Sequence, residues 1–387
     1  TQSLSSAASD VYKRQVVWVK IIAPQVWPLI RLPVLVVLAY SLSTVEMGII
    51  LGPSNPPVFS VFVMRLFMAP DLAMILPASA GALMLAFLMG VASATLFVAE
   101  RLVRYTGLWW IRAGGRSSTV KPLLRSASLC VVALFVIGAL AMVSLVFWSL
   151  AWRWPWPSML PETWSFQPWR NAAGVLGSAL GNTLLIAGAS VFVSLALAIL
   201  WLEGEDRKGR GRAGWGEVLI YLPLLLPQIA FLYGLNMLFL RLGISGGIGA
   251  VIWAQVLFVF PYVMIVLSDP WRALDPRLIR AAASLGAGPL RQLLTVKIPL
   301  LLSPILIAAA IGTAVSVAQY LPTLFMGAGR ISTLTTEAVT LSSGADRRIT
   351  GVYASLQAIL SFAAYAVAFM VPAFVFRNRA ALKGAGQ

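Results

Sequence analysis

Polar side chains that could contact a solute stand inside otherwise apolar stretches of this 387-residue chain. They are Glu46, Asn182 and the adjacent pair Gln319 and Tyr320. A charge at mid-bilayer costs about 2.5–3.5 kcal/mol on insertion scales, so such groups usually face a bundle interior or water. We expect Glu46 and Gln319 on opposite sides of a polar path, with Tyr320 and Asn182 beside them. The alternatives are a hydrated Glu46 near a membrane interface and an Asn182 that hydrogen-bonds a neighbouring helix.

Other chemistry is restricted by the residue types that the sequence lacks. Histidine is absent and the one cysteine, Cys130, stands in an apolar run, which excludes a disulfide framework and a Cys/His metal site. The sequence contains no G-x-x-x-x-G-K-[ST] phosphate loop, the motif that would hold ATP. It also offers no nucleophile–base pair. We therefore predict that the chain is not an enzyme and binds no cofactor or metal of its own.

A polar segment, residues 269–299, separates two apolar runs. Within it, Asp275 is placed to cap a helix that starts at Pro276, and Gly286 is placed to end that helix. A second short helix can begin at Pro289. The first helix would present one smooth apolar face suited to a groove in another protein, formed by Leu278, Ala281, Ala282 and Leu285.

Composition indicates an integral membrane protein of all-α fold. Hydrophobic residues are 59%, charged residues 11% and the mean hydropathy is +0.87, more apolar than a soluble core can absorb. The net charge of +16 could indicate nucleic acid, but the basic residues flank apolar runs as topology signals do, so the expected partner is the bilayer. The runs are continuous rather than alternating, which argues against strands. We predict a polytopic bundle of about eight spans, near 29–50, 72–99, 127–150, 176–202, 217–240, 248–268, 299–320 and 350–376.

Basic residues predict the orientation. If all eight spans are real, four basic regions fall on one side and hold 18 of the 29 Lys and Arg residues. That side is predicted to be cytoplasmic, with the C-terminus on it. The pair Arg347 and Arg348 on the other side is the exception. The outer loop 148–170 carries six tryptophans, which indicate an interfacial belt or, alternatively, a docking surface for an external partner.

An internal repeat defines the predicted domains. Residues 18–21 (Trp-Val-Lys-Ile) resemble residues 295–298 (Thr-Val-Lys-Ile), at an offset near 277, and similar apolar runs follow each. A parallel duplication is a known transporter architecture. We predict a non-native tail at 1–15, the last two spans of a first copy at 16–100, a cytoplasmic basic linker at 101–125 and a complete six-span second copy at 126–387.

The spacing Ala281-Ala282-x-x-x-Gly286, followed after nine residues by Val296-x-Ile298-Pro299, resembles the "EAA" coupling loop of ATP-binding-cassette (ABC) importer permeases. Arg280 occupies the position where that motif has its acidic residue. Weaker matches follow in family order over about 260 residues, including Ser178-x-x-x-Asn182-Thr183-Leu184 and Trp271-Arg-Ala-Leu-Asp-Pro276. The chain thus resembles binding-protein-dependent permeases of the methionine-importer-type fold, and its duplication resembles the fused thiamine and ferric-iron branch.

The resemblance implies a permease of the bacterial inner membrane that forms a solute path. A separate dimer of ABC ATPase subunits would use the ATP, and a periplasmic or lipid-anchored solute-binding protein would deliver the solute. Since the first copy lacks its upstream helices, we expect the chain to be a fragment. The alternatives are an ion-gradient-driven secondary transporter, for which Glu46 is the one strong coupling candidate, and a membrane scaffold. The residues implied in contact with the ATPase are Asp275, Arg280, Ala281, Ala282, Ala283, Gly286 and Pro299.

Overall fold

The computed structural model describes residues 22–112, 120–155, 157–208, 214–342, 344 and 346–377. The predictions for the tail at 1–15, for the repeat at 18–21 and for the basic residues after 377 lie outside the described residues. So does the centre of the predicted linker, 113–119.

The described chain is almost entirely helical, because an apolar segment can satisfy all its backbone hydrogen bonds internally only as a helix or in a closed sheet. Before the middle of the chain the helices are α1 Ala23–Ser43, α2 Glu46–Leu51, α3 Phe59–Phe67, α4 Ile75–Arg112 and α5 Val120–Leu150, with a 3₁₀ turn at Leu72–Met74. After it come α6 Gln167–Lys208, α7 Gly214–Leu225, α8 Gln228–Arg241, α9 Ile248–Arg272, α10 Pro276–Ser284, α11 Pro289–Gln292, a π-helix at Leu293–Lys297, α12 Ile298–Leu300, α13 Leu302–Ala318, α14 Leu321–Gly327, α15 Leu334–Ser342 and α16 Arg347–Val375.

Among the described residues, six helices are long and apolar enough to cross a membrane, and the number is eight if each of two bent pairs counts as one span. This confirms the prediction of an all-α, polytopic helical bundle. The predicted linker 101–125 is helical at both described ends, since α4 continues to Arg112 and α5 begins at Val120. The predicted division into copies concerns ancestry and stays a prediction.

Three predicted spans are interrupted rather than continuous. The span 217–240 is bent by 102° between α7 and α8, where Pro227 disfavours helix for the residue before it. The span 299–320 begins at a 76° bend before α13 and stops at Gln319, whose backbone is extended. The span 29–50 likewise stops at Thr44, which is extended, so Glu46 begins a separate helix.

Contacts divide the chain into two compact units. Unit 1 comprises the chain up to Thr44, Val58–Ser144 and Leu224–Ala230. In it α4 packs against α1 and α3, with Gly81 against the side chain of Val63. The Arg31 guanidinium lies 3.9 Å from the Glu100 carboxylate and 5.6 Å from the centroid of the Phe97 ring.

Unit 2 comprises Val45–Pro57, Leu145–Pro223 and Phe231–Gln387. Its centre is formed by α6, α9, α13 and α16, in which α13 packs against the other three and α6 packs against α9 and α16. Small residues allow these helices to approach closely: Gly312 of α13 is surrounded by side chains of α6 and α9. One hydrophobic cluster has Val191, Ala198, Leu202, Ile220, Val259, Val263, Met264, Leu267, Trp271, Leu293, Leu301 and Ala308 as its buried members.

The predicted outer loop of unit 2 contains the only strands among the described residues, β1 Ala151–Arg153 paired antiparallel with β2 Thr163–Trp164. The two arginines that broke the charge pattern, Arg347 and Arg348, lie against this loop. The Arg347 guanidinium is 5.8 Å from the Trp148 ring centroid. Arg348 is 4.9 Å from the Trp152 ring and donates a hydrogen bond to the Trp152 carbonyl at 3.0 Å. Both therefore have specific partners on the loop.

Gly351 tests the packing of α16 on α5. A Cβ at this position would lie 3.0 Å from the backbone nitrogen of Ser149 and 3.2 Å from the carbonyl of Leu145. Because backbone atoms cannot move aside cheaply, Gly351→Val should destabilise the fold by about 1–3 kcal/mol. The measurement is thermal unfolding in detergent. Gly174→Val is the matched control, since no heavy atom lies within 4 Å of its Cβ position. Equal melting temperatures for the two variants would refute this packing.

Candidate functional site: the 269–299 segment and the polar helix break

The first helix of the 269–299 segment has the predicted caps. The side chain of Asp275 accepts a hydrogen bond from the Arg277 amide at 2.8 Å, and Pro276 occupies the first turn. At the other end Gly286 has a left-handed φ of +80°. Its amide donates to the Ala283 carbonyl at 2.9 Å, and the Ala287 amide donates to the Ala282 carbonyl at 3.0 Å. These two bonds form a Schellman motif, which ends the helix sharply.

The apolar face of α10 is largely exposed within the described chain. None of its residues is buried, and the side chains at its two ends, Leu278 and Leu285, are 45% and 88% exposed. Ala281 and Ala283 are exposed, as is Arg280, while Ala282 is partly buried. A rigid, capped helix that displays leucines to its surroundings is suited to a helix-in-groove contact.

The segment then returns towards the core through an irregular helix. The Gln292 amide nitrogen donates to the Ala287 carbonyl at 2.6 Å, which ties α11 to the end of α10. The π-helix Leu293–Lys297 follows, a rare form that often occurs at functional sites. It carries Leu293 and Lys297 into the interior of unit 2, whereas Pro299 stays exposed.

A buried ion-pair cluster anchors Lys297. Its ammonium nitrogen lies 2.6 Å from a carboxylate oxygen of Glu203 and 2.6 Å from one of Asp206, both at the end of α6. The ring of Trp271, on α9, is centred 5.4 Å from the same nitrogen, and its indole N–H donates to Asp206 at 3.0 Å. The side chains of Lys297 and Glu203 are only 6% and 10% exposed. Removing one partner of such a buried pair typically costs about 3–5 kcal/mol, and the share of Asp206 is smaller because it is 42% exposed.

A second ion-pair cluster lies one residue further along α9. Arg272 binds Glu205 of α6 at 2.9 Å and Glu217 of α7 at 2.6 Å. Glu205 also accepts a hydrogen bond from the Trp201 indole at 3.0 Å. The acidic run after the apolar part of α6 therefore joins α9 and the π-helix directly, and Arg272 extends the contact to α7. Within the described chain, no group of three or more acidic, cysteine or histidine side chains is arranged to hold a metal ion.

Sequence reasoning missed these two clusters, because it treated every basic residue as a topology signal. A signal was present, since the run Glu203-Gly-Glu-Asp206 ends a long apolar helix and Lys297 stands between Val296 and Ile298. A lysine flanked by apolar residues is buried at a cost unless a carboxylate meets it. The sequence thus indicates that Lys297 needs an acidic partner, but the structure is required to identify it.

The second part of the site is the helix break at Gln319. Its side chain is 8% exposed, yet neither its amide oxygen nor its amide nitrogen has a hydrogen-bond partner among the described residues. The neighbouring polar side chains are satisfied. Gln255 of α9 donates to the Thr323 hydroxyl at 3.2 Å and accepts from Ser316. A buried amide with both ends unpaired usually marks a site for water or a ligand.

The other predicted polar residues, Glu46, Tyr320 and Asn182, also lie in unit 2. Glu46 is 8% exposed and interacts electrostatically with the hydroxyl of Tyr320, so these two residues and Gln319 are brought together. Asn182 instead donates to the Ser332 carbonyl at 2.9 Å. It therefore makes the contact between neighbouring segments that was the alternative to a solute-facing role.

The chain is similar to three known permease proteins. The chain is similar to the inner membrane ABC transporter permease protein YnjC of Escherichia coli K12, with 33% identity over 364 residues, which are 94% of this chain and 65% of that protein. It is also similar to the putrescine transport system permease protein PotI of the same organism, with 31% identity over 33% of this chain and 48% of PotI. The spermidine/putrescine transport system permease protein PotC of Haemophilus influenzae is 31% identical over 22% of this chain and 33% of PotC.

The chain thus spans about two thirds of YnjC and half or less of the matched polyamine permeases. No protein-family model matches it. The relatives are all named as permease proteins, in agreement with the class that the 269–299 motif resembles.

Gly286 tests the end of α10. A non-glycine residue in the left-handed region costs roughly 1–2 kcal/mol, so Gly286→Ala should weaken the Schellman motif and speed hydrogen–deuterium exchange of the α10 amides by about 5–30-fold. Gly288→Ala is the control, because Gly288 has an ordinary φ of −66° and an open Cβ position. If both variants exchange at the wild-type rate, the glycine is not needed for this cap.

Proposed function

We propose that this chain is a transmembrane permease subunit of an ATP-driven ABC importer of the bacterial inner membrane. In this proposal the 269–299 segment is the coupling loop on the cytoplasmic side, and α10 seats in a groove of a separate ATPase subunit dimer. A periplasmic or lipid-anchored solute-binding protein delivers the solute at the other side. The chain itself binds no cofactor and hydrolyses no ATP.

One observation carries the proposal: a helix capped at both ends projects an unpartnered apolar face while two ion-pair clusters hold its flanks to the core. Leu285, 88% exposed, stands next to the Gly286 cap. An ordinary surface loop needs neither the anchoring nor the exposed leucines. The similarity to the YnjC permease over 94% of this chain supports the same class of protein.

The coupling loop is tested by its exposed leucine. Leu285→Glu should abolish co-purification of the ATPase, because a carboxylate would be buried without a partner in the groove. It should leave the melting temperature unchanged, since the Leu285 side chain is 88% exposed. Leu160→Glu is the control, because Leu160 is also highly exposed, at 67%, but lies in the loop between β1 and β2. The proposal fails if Leu285→Glu retains the ATPase as well as the wild type does.

The rival function is a secondary transporter driven by an ion gradient. Glu46 would then serve as the coupling carboxylate. Uptake that persists in vesicles without any ATPase, but collapses when an uncoupler removes the proton gradient, would establish the rival and exclude the importer.

For the solute, we propose an organic cation whose path passes Glu46, Gln319 and Tyr320, with Asn182 supporting the adjacent segment. Glu46 supplies a negative charge, and the unpaired amide of Gln319 offers an acceptor to an ammonium group. The names of PotI and PotC mention putrescine and spermidine, which supports this charge class. Thiamine and iron, suggested by the fused branch, remain candidates for the same test.

Charge selection along the path is tested by Glu46→Gln. Without the carboxylate, uptake of putrescine by the complete importer should fall by about tenfold, equivalent to about 1.4 kcal/mol. Asp71→Asn is the control, because Asp71 is an exposed carboxylate that caps the 3₁₀ turn and Asn caps equally well. If both variants take up putrescine equally, Glu46 does not line the path.

We also propose that the helices before and after the linker derive from two permease copies fused in one chain. Support comes from the two helix breaks: α2 and α3 begin at Glu46 and Phe59, and α14 and α15 begin at Leu321 and Leu334, a constant separation of 275 residues. Both breaks have one extended residue, Thr44 or Gln319, followed by one helical residue before the next helix.

A further inference from the structure

We propose that Lys297 is the positioning residue that transmits movement of the coupling loop to α6, and through α6 to the polar helix break. The inference rests on the proposed function, because it assumes that an ATPase moves the loop. It assigns a role to the buried ion-pair cluster that neither the motif nor the named relatives assign.

The contact at Lys297 has the geometry of a rigid joint. Glu203 and Asp206 are three positions apart on α6, so their carboxylates lie on one face of the helix. Both bind the same ammonium at 2.6 Å. The ring of Trp271 lies against another side of the Lys297 ammonium, and the Trp271 indole N–H donates a hydrogen bond to Asp206. Lysine has three N–H donors, and two of them are thereby directed at α6.

Helix α6 can carry a displacement because it is one unbroken helix of 42 residues. Glu203 and Asn182 lie 21 positions apart on it, which is about 31 Å at 1.5 Å per residue. At the other end of this stretch of α6, the Asn182 side chain donates a hydrogen bond to the Ser332 carbonyl at 2.9 Å. Thr183 accepts from the Leu334 amide at 3.0 Å.

The contacts continue from there to the helix break. Thr335 is the next residue after Leu334, and its hydroxyl donates a hydrogen bond to the carbonyl of Val317. Hydrogen bonds and the continuous helix α6 thus connect Lys297 to Val317, two positions before Gln319. Coupling through such a connection needs more than spatial continuity, so the test must separate transmission from simple stabilisation.

The experiment uses the complete importer with a reporter at the far end. An environment-sensitive fluorophore is attached at Ser332→Cys in a Cys130→Ala background, which removes the native cysteine. When Lys297 is intact, adding ATP to this labelled importer should change the fluorescence. In Lys297→Met the ATP-driven change should fall by about tenfold, within the range of known coupling effects, while the ATPase stays bound and hydrolyses ATP. Lys297→Arg, which keeps the charge and the donors, should restore the signal.

Two further variants sharpen the result. Arg207→Met is the matched control. Arg207 also binds Glu203, at 3.0 Å, but it lies on the same helix and its side chain is 51% exposed. Because this ion pair joins no second element, its loss should leave the fluorescence signal intact. The double variant Lys297→Met with Glu203→Gln should give no weaker a signal than Lys297→Met alone, because both changes break one contact.

A wild-type ATP response in Lys297→Met would overturn the proposal. So would a loss of fluorescence change and of bound ATPase together, because Lys297 would then only hold the fold. Failure of the proposed function looks different: the protein with Lys297 intact would itself retain no ATPase and give no response to ATP.

Discussion

Backbone hydrogen bonding is the constraint on which the rest of this structure depends. In an apolar medium each unpaired N–H or C=O costs several kcal/mol, so spanning segments must be helices that satisfy themselves. The consequence is that polar groups concentrate where helices end or break. The two parts of the candidate site occupy such places: the 269–299 segment lies between α9 and α13, and Gln319 lies between α13 and α14.

Buried charges make the flanks of the 269–299 segment stiff. Lys297 and Glu203 are withdrawn from solvent, and such groups are tolerated only with well-placed partners. Carboxylates of α6 bind both Arg272, before α10, and Lys297, after it. The two flanks of α10 are thereby held while α10 itself stays largely exposed. A stiff connection behind an exposed apolar helix is what a loop needs if a partner is to move it and the bundle is to follow.

Much of this arrangement could be predicted from the sequence. The helix caps at Asp275 and Gly286 were predictable because capping is local chemistry, set by a few adjacent residues. The interruptions at Thr44 and Gln319 were not, because hydropathy averaged over a span does not detect a change of ψ at one residue. The partners of Lys297 were missed for another reason: they lie more than 90 positions away in the sequence, and a charge pattern gives the side of the membrane but not a contact. Gln319 and Glu46 were identified as unusual, whereas the role of Asn182 as a tie to the segment 332–334 needed the structure.

In the proposed importer, α10 is the surface on which the ATPase acts. Photocrosslinking from a benzophenone amino acid at position 285, in membranes that contain the complete importer, tests it most directly. We expect a crosslink between this chain and the ATPase subunit. Crosslinks to lipid alone, with an assembled and active ATPase present, would contradict it.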